Sequence, residues 1–327
     1  MSTVRLGVLG CSAIARRRTL PAAAEVPELE TTAVASRDAA KAQRFAAEFG
    51  AAAADYESLL SDPDIDAVYI SLPNALHHEW ARRALSAGKH VLCEKPLTDT
   101  AAKSRELTAL AAENGLVLRE NFAFLHHPVH TRVRELVEQG RIGPLRTFTA
   151  TFGIPPLPAA DIRYDADLGG GALLDVGVYP LRAALLLLGR ELSVVGAALR
   201  HDESTGVDVA GHVLLVSGDG VFADLEFGFQ HSYRSRYALW GGSAALGLDR
   251  AFTPPPQHQP VLRIDEQDHA EEITLPAAHQ FRTSLAGFAE AVRRPTPDEE
   301  SWRAGATALA ELVEAVREKA VPVGGSR

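Results

Sequence analysis

The stretch Val4-Arg5-Leu6-Gly7-Val8-Leu9-Gly10-Cys11-Ser12-Ala13-Ile14-Ala15 decides the fold. A short apolar run closes on Gly10, and Arg16 to Ala24 can then be helical, so the order is strand, tight turn, helix. That order is the setting of a dinucleotide-binding turn, in which backbone amides at a helix N-terminus hold a pyrophosphate. Ala15 in the last glycine position still lets helix and strand pack closely. Ser12 stands where a second glycine would let the pyrophosphate approach, so the fingerprint is incomplete. By itself the turn is equally compatible with an ordinary strand-to-helix connection.

The next segments resolve that ambiguity. A second strand, Leu29 to Ala35, ends at Ser36-Arg37, where an NAD-preferring site would carry an acid for the ribose 2′-hydroxyl. A hydroxyl and a guanidinium suit a 2′-phosphate instead, so the expected cofactor is NADP(H). Alternation continues through Asp38–Phe49 (helix), Ala51–Ala54 (strand), Tyr56–Leu60 (helix), Ala67–Leu72 (strand), Ala75–Ala87 (helix), His90–Cys93 (strand), Thr98–Asn114 (helix) and Leu116–Leu118 (strand). Strands alternating with helices give a parallel, doubly wound sheet, and ligands bind at the carboxyl ends of its strands. Those ends present Gly10 to Ile14 (Gly10, Cys11, Ser12, Ala13, Ile14), then Ser36 and Arg37, then Ser71-Leu72-Pro73-Asn74, and finally Glu94-Lys95-Pro96. Proline biases the preceding residue away from helix, so Lys95 is held extended at a strand end. His77 opens the helix after Asn74, either as a half-exposed packing residue or beside the cofactor.

From Phe122 the pattern changes to antiparallel strands with helices on one side. The expected division is a dinucleotide-binding domain over 1–121 and an α+β domain for substrate binding and oligomerisation over 122–327. Within it Ala172–Leu188 is a strongly apolar helix directly after Gly169-Gly170-Gly171. Asp175 and Tyr179, four apart, are expected on one face of it. In the strand Val221–His231, Val221, Ala223, Leu225, Phe227 and Phe229 share one face, while Asp224, Glu226 and Gln230 share the other. A sheet with helices on one side leaves an open face suited to a subunit contact, and a homodimer or homotetramer is expected.

Composition narrows the function classes. With 33 basic and 42 acidic residues the net charge is −9, which argues against a nucleic-acid or anionic-membrane surface. The two cysteines, Cys11 and Cys93, suit free thiols in a reducing cytoplasm. The N-terminus enters a strand without a signal-peptide pattern, and no apolar run approaches membrane-spanning length. No His/Cys/Asp/Glu set has metal-ligand spacing; His126 and His127 are adjacent and point apart.

Chemistry fits these residues. Hydride arriving at a ketone carbon builds negative charge on the oxygen, which needs a cation or a proton. Lys95 and Tyr179 are the candidates, one donating the proton and the other polarising the carbonyl. Glu94 would orient Lys95, and Asp175 would bind the nicotinamide ribose or the sugar.

Gly10-x-x-x-x-Ala15, Glu94-Lys95-Pro96 and Gly171-x-x-x-Asp175-x-Gly177-x-Tyr179 together resemble the glucose-fructose oxidoreductase and inositol dehydrogenase superfamily, over essentially the whole chain. Many members end the last motif in histidine, where this chain has Tyr179. That departure, with Cys11 to Arg18, Ile154-Pro155-Pro156-Leu157-Pro158 and Leu168 to Gly171, is similar to the sugar-nucleotide 3-ketoreductases of deoxysugar biosynthesis in actinomycetes. The resemblance implies NADPH-dependent reduction of the 3-keto group of a dTDP-3,4-diketo-2,6-dideoxyhexose, and implies Arg163 as a further cofactor contact. The nucleotide diphosphate tail that it implies needs cations and a stacking surface, for which Arg16, Tyr233 and Arg234 are available. The rival expectations are an NADP-dependent polyol or free-sugar dehydrogenase and a non-catalytic NADP-sensing regulator.

Overall fold

The computed structural model describes residues 3–294 and 298–324. They form two compact units, one from the chain up to His126 plus Gln280–Thr307, the other from His127–His279 plus the chain from Ala308 onward. A single boundary near residue 121 therefore does not describe the packing, because a helical segment returns to the first unit.

The first unit contains β1 (Val4–Leu9), α1 (Leu20–Ala23), β2 (Leu29–Ala35), α2 (Ala39–Phe49), β3 (Ala52–Ala54), α3 (Tyr56–Ser61), β4 (Ala67–Ile70), α4 (Asn74–Ser86), β5 (His90–Cys93), α5 (Ala101–Glu113) and β6 (Leu118–Glu120). The strands form one parallel sheet in the order β3-β2-β1-β4-β5-β6. Strand order reverses between β1 and β4, the switch point at which such sheets bind ligands. Side-chain caps set the helix starts: Asp38 accepts from the Lys41 amide at 3.0 Å and Asp55 from the Ser58 amide at 2.8 Å.

Both faces of this sheet are covered. On one, Leu9, Val68, Ile70 and Val91 pack with Leu59, Ala81, Leu85 and Leu107. On the other, Leu6, Val8, Val34 and Tyr69 meet Leu20 and Ala23, but α1 is only four residues long. The remaining apolar surface is covered by Leu285, Phe288 and Ala289 of a later helix, Gln280–Arg293. Each fully buried leucine or phenylalanine there contributes about 1.5–3 kcal/mol, which is the physical reason this segment returns to the first unit.

The second unit contains α6 (Pro128–Glu138), β7 (Leu145–Gly153), α7 (Val178–Leu188), β8 (Leu192–His201), β9 (Asp208–Ser217), β10 (Phe222–Gly228), β11 (Arg234–Gly241), β12 (Ala245–Asp249), β13 (Val261–Asp265) and β14 (Ala270–Thr274). The returning helix is α8 (Gln280–Arg293); α9 (Glu299–Lys319) is shared between the two units, and β15 (Ala320–Val323) ends the described chain. Nine strands form one mixed sheet, β14-β13-β12-β11-β7-β10-β9-β8-β15. Most neighbours are antiparallel, whereas β10 runs parallel to β7 and β15 parallel to β8. Phe148, Ala150, Leu225, Phe227, Val213 and Tyr237 are buried on the inner face, and α7 lies against β7 and β10. Ala223, Leu225 and Phe227 are buried and Glu226 exposed, as alternation predicts. On the outer face Trp240 and Phe222, 66% and 53% exposed, flank Thr147 in one cross-strand row.

A buried ion pair closes the first unit. Arg119 of β6 contacts Glu299 at 2.5 Å, donates to the Gly287 carbonyl at 3.1 Å and lies 5.0 Å from the Trp302 ring. Removing one partner of such a pair leaves an uncompensated charge. Arg119→Met should lower the unfolding free energy by about 3–5 kcal/mol, and adding Glu299→Met should restore most of it. Urea unfolding checks this; a single variant as stable as the parent protein would contradict it.

Candidate active site

In the first unit the turn after β1 is built around Gly10, whose φ is +100°. A Cβ there would also sit 2.8 Å from the Ser71 carbonyl oxygen and 2.9 Å from the Leu72 side chain, so only glycine fits. Ser71 is buried, and its hydroxyl donates to the Gly10 carbonyl at 2.9 Å, tying the turn to the end of β4. Ser12 accepts from the Ala15 amide at 3.1 Å, while Ala13 and Ile14 are exposed at the turn. The following turn, Ala15–Thr19, is π-helical and runs into α1 with Pro21 near its start. Proline has no N–H and clashes with the carbonyl four residues back; the wider turn relieves both constraints.

At the end of β2, Ser36 accepts from the Asp38 amide at 3.2 Å, and Arg37 is exposed beside the Tyr56 phenol. Burial pushes the Cys11 thiol up, against the opposing effects of Lys41 and Ser36. Cys11, Ser36 and Lys41 are thus neighbours. Lys41 was not singled out in the sequence; its signal is a cation one helical turn beyond Arg37. Arg16 belongs to the π-helical turn that follows Gly10–Ile14, its amide donating to the Ser12 carbonyl at 3.1 Å, and its side chain is engaged by Glu48 at 2.8 Å.

The loop after β5 is the most constrained. Glu94 Oε1 accepts from the Tyr69 hydroxyl at 2.7 Å and from the Asn121 amide at 2.8 Å. Tyr69 OH also lies 2.9 Å from the Thr19 hydroxyl, and Ser284 Oγ of α8 donates to Asn121 Oδ1 at 3.2 Å. Burial pushes the Glu94 carboxyl up, while those two bonds and the positive charge of Lys95 act in the opposite direction. Burial and the nearby Glu94 charge raise Tyr69 far above an ordinary phenol, so it remains a neutral donor. Glu94 is therefore anchored by Tyr69 and Asn121 as well as coupled to Lys95. Lys95 joins Pro96 through a cis peptide and is partly exposed.

His77 is fully buried, which overturns its reading as a half-exposed packing residue. Its ring nitrogens lie 2.7 Å from the Pro96 carbonyl and 2.9 Å from the Leu72 carbonyl, so it bridges two strand-end loops and has no free nitrogen to offer a cofactor. Burial lowers its pKa; the neutral ring donates to one carbonyl at a time.

In the second unit Arg163 Nε donates to Asp175 Oδ2 at 2.7 Å and Nη1 to Asp161 Oδ1 at 3.1 Å. Asp175 and Asp161 hold the Arg163 guanidinium above its ordinary value. Gly171, at φ +111°, passes so close to Asp208 that a Cβ would collide with its carboxylate, which accepts from the Leu173 amide at 2.6 Å. Asp175 belongs to a second π-helical turn, Leu173–Gly177, and Tyr179 to α7. The simple four-residue α-helical spacing expected for this pair does not hold. Pro180 accounts for the widened turn, as Pro21 does in the first unit. The Tyr179 ring is fixed edge-on to Phe152, with centroids 5.0 Å apart, and lies 5.7 Å from Phe252. Tyr233 continues the cluster, 6.4 Å from Phe152. Arg234 begins β11 opposite Gly153.

Residues 4–122 match the family model for the oxidoreductase family with an NAD-binding Rossmann fold, and residues 130–246 match the GFO/IDH/MocA C-terminal domain. The chain belongs to the GFO/IDH/MocA oxidoreductase family. Among curated proteins it is 54% identical to a dTDP-3,4-didehydro-2,6-dideoxy-alpha-D-glucose 3-reductase from Streptomyces violaceoruber, covering 97% of this chain and 95% of the relative. It is 50% identical to the enzyme of that name from Actinomadura kijaniata, covering 96% and 95%. The solved structure of KijD10, a 3-ketoreductase from Actinomadura kijaniata in complex with NADP and TDP-benzene, superposes with a TM-score of 0.96 at 48% identity, covering 99% of this chain and 100% of that one.

This chain's residues fit a 2′-phosphorylated dinucleotide. Gly10 leaves the space a side chain would fill, and the end of β2 offers a hydroxyl and cations rather than a carboxylate at Ser36-Arg37. Among the described residues no group of three or more His, Cys, Asp or Glu could hold a metal ion.

Tyr69→Phe removes a hydrogen bond to a charged acceptor and should destabilise the protein by about 1.5–3 kcal/mol at neutral pH. Loss of that bond raises the folded-state pKa of Glu94 further. The difference between the two proteins is therefore present above both folded-state values and shrinks as pH falls through them. Chemical unfolding at neutral and acid pH measures it; a penalty independent of pH would mean that Glu94 is not the charged partner.

Proposed function

We propose that this protein is an NADPH-dependent 3-ketoreductase acting on dTDP-3,4-didehydro-2,6-dideoxyglucose or a close dTDP-ketosugar, within deoxysugar biosynthesis. The observation that carries the reading is a strand-end lysine, Lys95, next to a carboxylate anchored by Tyr69 and Asn121 in the dinucleotide-binding unit. Near-50% identity over almost the full length to proteins of that activity supports it.

Bound NADPH supplies the hydride. Ser36, Arg37 and Lys41 would hold its 2′-phosphate, and the turn from Gly10 to Ile14 its pyrophosphate. Lys95 polarises the 3-keto oxygen and stabilises the charge that grows there. Tyr179, whose ring packs against Phe152 and Phe252, delivers the proton. Arg163 holds the Asp175 carboxylate, and Asp175 orients the ribose or sugar hydroxyls.

No helix among the described residues is long and apolar enough to cross a membrane. Two buried free thiols suit a reducing cytoplasm, where NADPH is available. The exposed Trp240–Thr147–Phe222 row on the outer sheet face suits a homo-oligomer contact.

Lys95→Ala should cut turnover by about 10²-fold or more while leaving the NADPH dissociation constant nearly unchanged. Rapid kinetics and fluorescence titration separate the two; undiminished turnover would remove Lys95 from the mechanism. Arg37→Ala should raise the KM for NADPH far more than that for NADH. Equal effects would refute the 2′-phosphate contact. Turnover of a free sugar or inositol with NADP, and none of a dTDP-ketosugar, would favour a polyol dehydrogenase.

A further inference from the structure

Asp208 opens β9, and its half-buried carboxylate supplies what the local sequence of the Asp175 turn lacks. That turn, Leu173–Gly177, starts after Ala172, whose methyl offers no oxygen to the first amides of a helix. Asp208 provides the acceptor from 35 residues away: its Oδ2 accepts from the Leu173 amide at 2.6 Å. Its Oδ1 occupies the space that a side chain at Gly171 would need. The hairpin before β9 does not require this carboxylate, because Asp202 closes that loop by accepting from the Ser204 and Thr205 amides, each at 3.0 Å.

Gly171 is the joint between two functional side chains. Its amide donates to the Arg163 carbonyl at 2.9 Å, and its carbonyl accepts from the Asp175 amide at 3.2 Å. One residue thus ties together the main chains of Arg163 and Asp175, whose side chains meet at 2.7 Å. Asp208 bears on this joint directly and fixes the amide two residues beyond it. Burial pushes the Asp208 carboxyl up, while the Leu173 amide, Arg317 and His201 act in the opposite direction.

We propose that Asp208 is a positioning residue for the ketoreductase reaction: by capping the π-helical turn and filling the space over Gly171, it sets the aim of Asp175 and of the guanidinium paired with it. This rests on the reading of Asp175 as the group that orients ribose or sugar hydroxyls. Without the carboxylate, the Leu173 amide loses its acceptor, and the turn is free to relax towards ordinary α-helical spacing, which swings Asp175 away from its present direction. A displacement of about 1 Å at a group that positions substrate costs about 10²-fold in rate.

A double-mutant cycle on turnover of dTDP-3,4-didehydro-2,6-dideoxyglucose with NADPH tests this, with NADPH fluorescence titration counting the folded sites of each variant. Asp208→Ala should lower kcat by about 10- to 100-fold. Asp208→Asn keeps an acceptor for the Leu173 amide and should stay within about 3-fold of the parent protein. In an Asp175→Ala background the further change Asp208→Ala should cost less than about 2-fold, because the group it aims is gone. Should Asp208→Ala fail to fold, Asp208→Ser takes its place in the cycle, since its hydroxyl is too short to reach the amide. A loss of the same size in both backgrounds would mean a merely structural role and overturn the proposal, as would an Asp208→Asn variant as impaired as Asp208→Ala. Full turnover in Asp208→Ala beside a loss in Asp175→Ala rejects the positioning role alone. Full turnover in Asp175→Ala rejects the reading of Asp175 on which that role rests, and a parent protein inactive on this ketosugar rejects both together with the ketoreductase reading.

Discussion

A carboxylate partly withdrawn from water is costly unless hydrogen bonds replace the water it loses, and the half-buried Glu94 meets that requirement through Tyr69 and Asn121. The consequences reach four elements. Tyr69 brings β4 and, through Thr19, the turn after the dinucleotide fingerprint; Asn121 brings the end of β6 and, through Ser284, α8. The lysine that follows Glu94 therefore inherits its position from a network distributed over much of the first unit. His77 reinforces the same loop by bridging Leu72 and Pro96.

The two units reach functional geometry by a common local device. In each, a glycine-containing turn is followed by a π-helical turn and then a proline: Ala15–Thr19 before Pro21, and Leu173–Gly177 before Pro180. The extra backbone width accommodates the proline and re-aims side chains that ordinary helical periodicity would place elsewhere. Thr19 thereby reaches Tyr69, and Asp175 reaches Arg163. Burial on the inner face of the second sheet does the rest, packing Tyr179 into a three-ring cluster with Phe152 and Phe252.

Local pattern was legible in the sequence and long-range partnership was not. The alternation from Val4 to Leu118 identified the parallel sheet, and the strand-end residues Gly10, Ser36 and Lys95 follow from it directly. The return of Gln280–Thr307 to the first unit could not be read, because the surface it covers is left open by the brevity of α1, and the helix itself has ordinary amphipathic spacing. The strands Val261–Asp265, Ala270–Thr274 and Ala320–Val323 escaped for a related reason: they are short, partly exposed, and stabilised by pairing with distant neighbours. His77 was misread because its position in the first turn of α4 gives no sign of the two carbonyls that enclose it. Lys41 carries chemistry visible once the loops are folded, since its neighbour Cys11 is remote in sequence.

The central claim is that hydride is delivered to C3 of a dTDP-linked ketosugar while Lys95 and Tyr179 manage charge and proton at its oxygen. It is tested most directly by incubating the protein with NADPH deuterated at the transferable position of C4 and dTDP-3,4-didehydro-2,6-dideoxyglucose, then locating the label by NMR. The account predicts one deuterium at C3 of the sugar. Label at C4 of the sugar, or none in a product formed with consumption of NADPH, would contradict it.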